Sequence, residues 1–306
     1  MTLTELRYVI TVAKTLHFGR AADACFVSQP TLSVGIRKLE EELGVRIFER
    51  NRNEVLITPE GQQLVDQASR VLEAANTFKD IAAAQSDPIG KQIRLGVIYT
   101  VGPFLVPALI NQLKRAVPDT SLVIRENFTD ALAEEMKRGE IDAAILSEPF
   151  EEPAFASIPL YDEEFLVVSP GDHSFAKARS VAPGKLEDEN LILLAARNCF
   201  RDQVLHFCPE CNPGQQSQVS QAMLEGSSLN TIVQMVATGA GITVIPATWQ
   251  VDKALDKLLA VKPFTKPKPQ RRVSLYYRRT FGKPQAIRCL VEAVRAAKFK
   301  NVNYLS

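Results

Sequence analysis

The sequence predicts an α/β domain of two lobes, preceded by an α-rich winged helix-turn-helix head and a long linker helix. Three observations carry that expectation. Residues 20–43 spell two short amphipathic helices joined by a tight turn, and residues 59–85 hold an apolar stripe at helical period. Beyond residue 92, strands and helices alternate in the manner of βαβ units. With 306 residues, 46% of them hydrophobic, the chain exceeds one average domain and can bury a sizeable core.

In the head, Ala21, Ala22 and Ala24 are small enough to let a second helix cross closely. Ser28 is placed to cap that second helix and Pro30 suits its first turn. Leu32, Ile36 and Leu39 recur at three- and four-residue spacing and define a core face. Ser28, Gln29, Pro30, Thr31, Ser33, Arg37 and Lys38 lie on or beside the other face, where such groups reach base edges or phosphates of a duplex. The helix pattern alone fits equally a pair of surface helices in any globular domain. Residues 45–50 then alternate apolar and charged like a half-buried strand, 51–54 form a polar turn, and 55–57 return as a second strand. In this wing Arg46, Arg50 and Arg52 are placed to pass a phosphate backbone, although Glu49 and Arg50 also suit an ordinary surface pair.

Thr58 is a cap and Pro59 a first-turn residue for the long helix that follows. Its stripe of Leu64, Ala68, Val71, Leu72, Ala75, Phe78, Ile81 and Ala82 is too long for a small head to bury, so the expected partner is the same helix of a second chain.

The formal net charge is only +1. Residues 1–58 hold eight Lys and Arg against seven Asp and Glu, so affinity for a polyanion must come from placement and from several heads per assembly. No run of 18 apolar residues and no basic-then-apolar leader is present, so a cytoplasmic protein without a membrane partner is expected. Five cysteines in a reducing compartment do not make a disulfide scaffold; each reads as core filler, metal ligand or redox group.

The second half opens with a strand at 92–98 and a helix at 104–115. Strands at 121–126 and 143–146 and a helix at 132–138 continue the alternation into a mostly parallel sheet. Residues 164–169 read as a crossing to a second lobe, which holds a helix near 228–238 and a strand at 241–245, and 271–278 return to the first lobe. Strand ends such as Thr100 face the cleft that two crossings leave. Cys199 is placed in the first turn of a helix opened by Asn198, where backbone N–H groups favour thiolate and Arg201 adds positive potential. Such a thiol is suited to attack a peroxide O–O bond. The plainer reading of Cys199 is a small packing residue. Nine residues of helix separate Cys199 from Cys208 by about 13 Å of rise. A disulfide needs Cα atoms about 4.4–6.8 Å apart, so bonding this pair requires the helix to unwind.

Residues Ala21-Ala22, Ser28 to Ser33, Arg37 to Glu40, Leu43-Gly44, Phe48 to Arg50 and Thr58 to Gly61 together resemble the head of LysR-type transcriptional regulators. The resemblance implies a winged helix-turn-helix that binds double-stranded promoter DNA, a dimerising linker helix and a two-lobed sensor of the type II periplasmic-binding-protein kind. It also implies a homotetramer, with RNA polymerase as partner. The segment Cys199-Phe200-Arg201-Asp202-Gln203 with Phe207-Cys208, together with 96–103 and 239–243, resembles the peroxide-responsive members of that family. By that resemblance Cys199 is peroxidatic and Cys208 resolves it as a reversible disulfide, while Thr100, Thr129 and Arg271 hold the peroxide. On residue type alone, Thr100 reads as a strand-end cap and Arg271 as a surface charge beside Arg272. Asn198 stands where some of those relatives carry His, and its amide can only donate and accept hydrogen bonds where an imidazole could take a proton.

Cys208-Pro209-Glu210-Cys211 is a lone CxxC, able to bind metal or to compete as resolving partner; without a second pair it is weak support for zinc, and no cofactor is expected. Cys25 and Cys289 read as packing residues. The expected divisions are a head over 1–58, a linker over 59–87 and a redox-sensing domain over 88–306, with lobe I at 92–163 and 268–300 and lobe II at 164–267. Two rival readings remain: a regulator whose cleft binds a small organic effector, and a thiol peroxidase in which the head is incidental.

Overall fold

The computed structural model describes residues 1–51, 54–84, 89–211, 225–226 and 228–305. The chain forms two compact units, one built on Met1–Ser86 and the other on Asp87–Met136, Ile141–Arg279 and Lys283–Ser306.

In the first unit, α1 (Leu3–Thr15) is opened by a capping box. The Thr2 hydroxyl accepts from the Glu5 N–H, and the Glu5 carboxylate accepts from the Thr2 N–H. Helix α2 (Phe18–Ala24) and helix α3 (Gln29–Leu43) follow, and Leu32, Ile36 and Leu39 are fully buried beside Val12, Ala21 and Ala22. Gly44, at φ 68°, ends α3 in the left-handed conformation that glycine takes without strain. The wing is shifted from what the alternation predicts: β1 (Phe48–Asn51) pairs antiparallel with β2 (Glu54–Ile57), so Val45, Arg46 and Ile47 lie outside the ladder while Asn51 and Glu54, expected in the turn, pair within it. The cause is Glu40, whose carboxylate accepts from the N–H groups of Ile47 and Phe48 at 2.7 and 3.1 Å and fixes the chain before the ladder begins.

Thr58 caps α4 (Pro59–Ala84) by accepting from the Gly61 N–H at 2.9 Å. A Cβ at position 61 would lie 2.3 Å from the Ile47 carbonyl oxygen, so only glycine lets the helix start this close to the wing. Val65 and Ala68 of α4 are buried in the head core, whereas Phe78 and Ile81 further along are exposed.

The second unit starts with β3 (Gln92–Ile98), α5 (Gly102–Ala116), β4 (Ser121–Asn127), α6 (Thr129–Lys137) and β5 (Ala143–Ser147). Strand β6 (Phe155–Pro170) crosses to the second lobe, which contains β7 (Leu193–Leu194), α7 (Cys199–Phe207), β8 (Glu225–Gly226), α8 (Leu229–Ala237), β9 (Thr243–Pro246) and β10 (Leu259–Pro263). Strand β11 (Gln270–Arg278) returns, and α9 (Pro284–Ala296) and β12 (Val302–Tyr304) complete the first lobe. The strand order is β10-β6-β11-β5-β3-β4, with β9 and β12 also on β6.

This sheet is mixed, not mostly parallel. Only the β3–β4 and β3–β5 pairs are parallel; every pairing of β6 and β11 is antiparallel. The two crossings must run in opposite directions, and here they lie side by side as strands of one sheet. The first part of β6 pairs with β11 and its last residues pair with β9 and β10, so one continuous strand ties the lobes together. Lobe II has its own apolar core around Phe165, Phe200, Ile232 and Phe264.

Candidate functional site

Two surfaces gather the residues singled out by sequence. On α3, the Ser28 hydroxyl accepts from the Thr31 N–H at 3.3 Å and hydrogen bonds the Thr31 hydroxyl at 2.8 Å. Ser28, Gln29, Pro30 and Thr31 are exposed, Ser33 is half-buried, and Arg37 and Lys38 are exposed on later turns. One face of α3 is therefore core and the other polar and open, as base-edge and phosphate contact requires. Arg46 is exposed just before the wing. Arg52 lies outside the described residues, and of Arg50 only the strand backbone is described.

The second surface is built around Arg271, which is 3% exposed although its sequence neighbour Arg272 reaches solvent. A buried guanidinium is tolerated only when it is paired and hydrogen-bonded. Its Nε donates to Glu163 at 2.8 Å, its Nη1 donates to the Thr100 hydroxyl at 2.8 Å, and its Nη2 donates to the Thr100 carbonyl at 3.1 Å. Glu163 on β6 accepts in turn from the N–H and hydroxyl of Thr248, at 3.2 and 2.6 Å. The guanidinium carbon lies 5.2 Å from the centre of the Phe200 ring. Thr100 from lobe I and Thr248 and Phe200 from lobe II thus converge on the two crossing strands. The same environment pushes the neighbouring Tyr161 hydroxyl far above its usual range, through burial and then the Glu163 charge.

Arg271 borders a cavity of ≈ 500 Å³ that Cys199 also lines, with Phe165, Phe207 and the polar side chains of Asp202, Gln203 and His206. Cys199 is the first residue of α7, half-buried and free. Phe200 and Val204 anchor the opposite face of the helix in lobe II. Gln203 reaches from α7 to the end of β5, where its Nε2 donates to the Ser147 hydroxyl and the Glu148 carbonyl, both at 2.8 Å.

Thr129 opens α6, directly after the strand that pairs in parallel with β3, so it and Thr100 share one edge of the sheet. Its hydroxyl is buried without a partner. It is not among the residues lining the Cys199 cavity.

Three further points complete the site, and the first departs from the expected cap. Asn198 is buried and precedes α7, yet its side chain makes no cap hydrogen bond; the chain enters the helix through Arg197 at φ 74°. Exposed Arg197 bonds Asp130 at 2.8 Å and holds that carboxyl below its usual range. Finally, Cys208 is bonded to Cys211, with Cα atoms 5.4 Å apart; of the two pairings the sequence leaves open, Cys199–Cys208 by resemblance and Cys208–Cys211 as a competing CxxC, this structure holds the second. With α7 intact, Cys208 lies at the far end of the helix from Cys199 while Cys211 is one tight turn away. Cys25 and Cys289 are half-buried and free. Among the described residues no group of three or more His, Cys, Asp or Glu side chains could hold a metal ion, and no helix is long and apolar enough to cross a membrane.

Sequence reasoning gave no role to Glu163, Glu40 or Gln203. A signal existed for the last: Cys199, Asp202, Gln203 and His206 fall at helical spacings of three, four and seven, which places them on one face.

A winged helix-turn-helix head, a long helix and a two-lobed α/β domain with strand ends facing a cleft define a DNA-binding regulator with a sensor domain. Residues 3–62 match the family model described as "Bacterial regulatory helix-turn-helix protein, lysR family", and residues 86–298 match the "LysR substrate binding domain". The chain belongs to the LysR family of bacterial transcription regulators. It is 38% identical over 298 residues to the "DNA-binding transcriptional dual regulator OxyR" of Escherichia coli, covering 97% of this chain and 95% of that one. Full-length OxyR from Pseudomonas aeruginosa, in a cysteine-to-aspartate form, superposes with TM-score 0.76 at 44% identity, over 96% of this chain and 98% of that one. A hydrogen-peroxide-bound cysteine mutant of Corynebacterium glutamicum OxyR matches with TM-score 0.63 at 32% identity, over 97% and 92% of the two chains.

Proposed function

We propose that this regulator senses hydrogen peroxide at Cys199 and converts the oxidation into altered binding of promoter DNA. The observation that carries the reading is a free thiol at the start of α7, in a cavity bordered by a buried arginine that Glu163 and Thr100 hold in place. Thiolate sulfur attacks one peroxide oxygen, the O–O bond breaks, and hydroxide leaves and takes a proton to become water. A fixed cation beside the cavity stabilises charge on the departing oxygen. Thr100, whose hydroxyl accepts from Arg271, and Thr129, whose buried hydroxyl has no partner, are the hydroxyls offered to the peroxide in this reading; neither lines the cavity in the present state, so their engagement requires the site to close on the peroxide. Cys199 is left as sulfenic acid; Cys208, when its thiol is free, attacks that sulfur and expels water to form the disulfide. Closing it unwinds α7, because about 13 Å of helical rise must shrink to disulfide range. That local refolding is the two-state element that re-poses the DNA heads.

In this reading the protein acts in the cytoplasm on double-stranded promoter DNA, as a dimer through α4 and a homotetramer made of two such dimers, with RNA polymerase as partner. Ser28, Gln29, Pro30, Thr31, Ser33, Arg37 and Lys38 of α3, with Arg50 and Arg52 of the wing, contact the duplex. It needs no cofactor or metal, and it is a regulator, not an enzyme.

The test is thiol mapping by mass spectrometry after stoichiometric peroxide, with DNA footprinting on the same samples of wild type and Cys199→Ser. A Cys199–Cys208 disulfide with a shifted footprint, both lost in the variant, is expected. An unmodified Cys199 with an unchanged footprint would overturn the reading and favour a small organic effector in the cavity. Many turnovers with a reductant and no defined operator would favour a peroxidase.

A further inference from the structure

The disulfide that is present, Cys208–Cys211, has no place in a two-cysteine switch. Three observations give it one. Cys208 ends α7 and Cys211 ends the tight turn Pro209–Cys211, with the Cys211 N–H donating to the Cys208 carbonyl at 3.0 Å. Backbone geometry alone therefore holds their Cα atoms at 5.4 Å, inside the range a disulfide needs. Second, α7 is a complete helix while this bond is closed, and Phe200 and Val204 remain in the lobe II core. Third, Cys199 is free and lines its cavity in the same state.

A Cys199–Cys208 bond requires α7 to be unwound, and a Cys208–Cys211 bond does not. The two disulfides share Cys208 and cannot coexist. Their order of stability follows from what each does to the helix: moving the bond from Cys199 to Cys211 lets α7 reform and rebury Phe200 and Val204.

We infer that Cys211 is a second resolving thiol, which attacks Cys208 within the Cys199–Cys208 disulfide, closes Cys208–Cys211 and releases Cys199. This rests on the peroxide reading above. The exchange balances without an outside reagent: the Cys211 thiolate forms a bond to the Cys208 sulfur, the Cys199–Cys208 bond breaks, and Cys199 leaves as thiolate and takes up the proton Cys211 lost. Over the whole sequence one peroxide becomes two waters, the Cys208 and Cys211 thiols become a disulfide, and Cys199 returns to its starting state. The unwound form then ends inside the molecule. The oxidation is stored in a bond whose sulfurs sit in the lobe II core, with Cys208 1% and Cys211 6% exposed, shielded from reductants.

The experiment follows the disulfides in the full-length chain after reduction, removal of the reductant and addition of one equivalent of hydrogen peroxide. Samples are quenched by acid and alkylation at intervals and mapped by mass spectrometry. In wild type Cys199–Cys208 should rise and then fall as Cys208–Cys211 replaces it and Cys199 again becomes alkylatable. In Cys211→Ser the first disulfide should persist about tenfold longer or more, with its footprint on DNA. The wild-type time course stands alone if that variant folds poorly. Persistence of Cys199–Cys208 in wild type, or Cys208–Cys211 forming as fast in Cys199→Ser, would overturn the exchange while leaving Cys199 as the sensor. A Cys199 that never reacts would overturn both.

Discussion

Helices α3 and α7 each present chemistry from their first turn, and they are built in opposite ways. Helix α3 has 15 residues, a serine whose hydroxyl accepts from the Thr31 N–H, three fully buried aliphatic side chains and a glycine stop in the left-handed conformation. Helix α7 has nine residues, an entry residue at φ 74°, no side-chain cap bond and an irregular end at Cys208. Short helices depend on tertiary packing for their existence, and α7 draws its packing mainly from Phe200 and Val204. Helix α3 is fixed in one shape, as the proposed contact with DNA requires. The thiol helix is marginal by construction, which suits a segment that must unwind when Cys199 bonds to Cys208.

The sharpest way to break this contrast is at the arginine beside α7. Arg271→Met leaves buried Glu163 charged without its partner, which should cost about 3–5 kcal/mol in urea unfolding. Glu163→Gln combined with Arg271→Met should recover most of that stability. If Arg271 acts on the reaction, both variants should still lose about 100-fold in the rate of Cys199 oxidation by peroxide. Recovery of the rate together with the stability would make Arg271 structural only.

The head should fail differently. Ile36→Ala removes a fully buried side chain, so a loss of about 2–5 kcal/mol in the stability of the head is expected. Peroxide oxidation of Cys199 should proceed unchanged while DNA binding in a mobility-shift assay is lost. A slowed Cys199 would mean that packing of the head also acts on the thiol. Arg37→Ala and Lys38→Ala act on the open face instead: each should weaken binding across sequences and lower the salt slope by about one if it neutralises a phosphate. Ser28→Ala removes the cap bond and should cost about 1 kcal/mol.

How far the contrast was legible before the fold was known differs between the two helices. For α3 the Ser28 cap, the core spacing and the open face were all local patterns, and the structure places each of them as the spacing implies. For α7 the span was legible and its surroundings were not. Arg271 reads as a surface charge in sequence because its partner Glu163 is 108 residues away. Only the pairing of β6 with β11 brings the two together. The same crossings account for the mixed sheet: periodicity marks a strand but not its direction. Asn198 is a residue type that caps helices, yet the turn at Arg197 directs the chain so that the cap bond is not made. Glu40 looked like one acid among several and proved to fix the start of the wing, again through a contact that spacing does not encode.

The smallest effect tests the marginal character of α7 most directly, at Arg197. Glycine adopts φ 74° without the clash that a Cβ brings, so Arg197→Gly should steady the entry to α7 by about 0.5–1 kcal/mol after the greater freedom of unfolded glycine is discounted. It also removes the exposed pair with Asp130. The Asp130 pKa is lowered in the folded chain, chiefly by the hydrogen bond from Arg197. The pair's contribution is therefore present above the ordinary aspartate value of about 4 and is lost as pH falls through the lowered one. The net benefit of Arg197→Gly in urea unfolding should accordingly be larger in acid, where wild type has lost the pair as well, than at neutral pH. At neutral pH the same substitution should slow Cys199–Cys208 closure by at most roughly two- to fivefold, the rate equivalent of that stabilisation before the lost pair is subtracted. Closure that is faster in Arg197→Gly, despite a steadier helix, would show that α7 does not have to unwind for the disulfide to form.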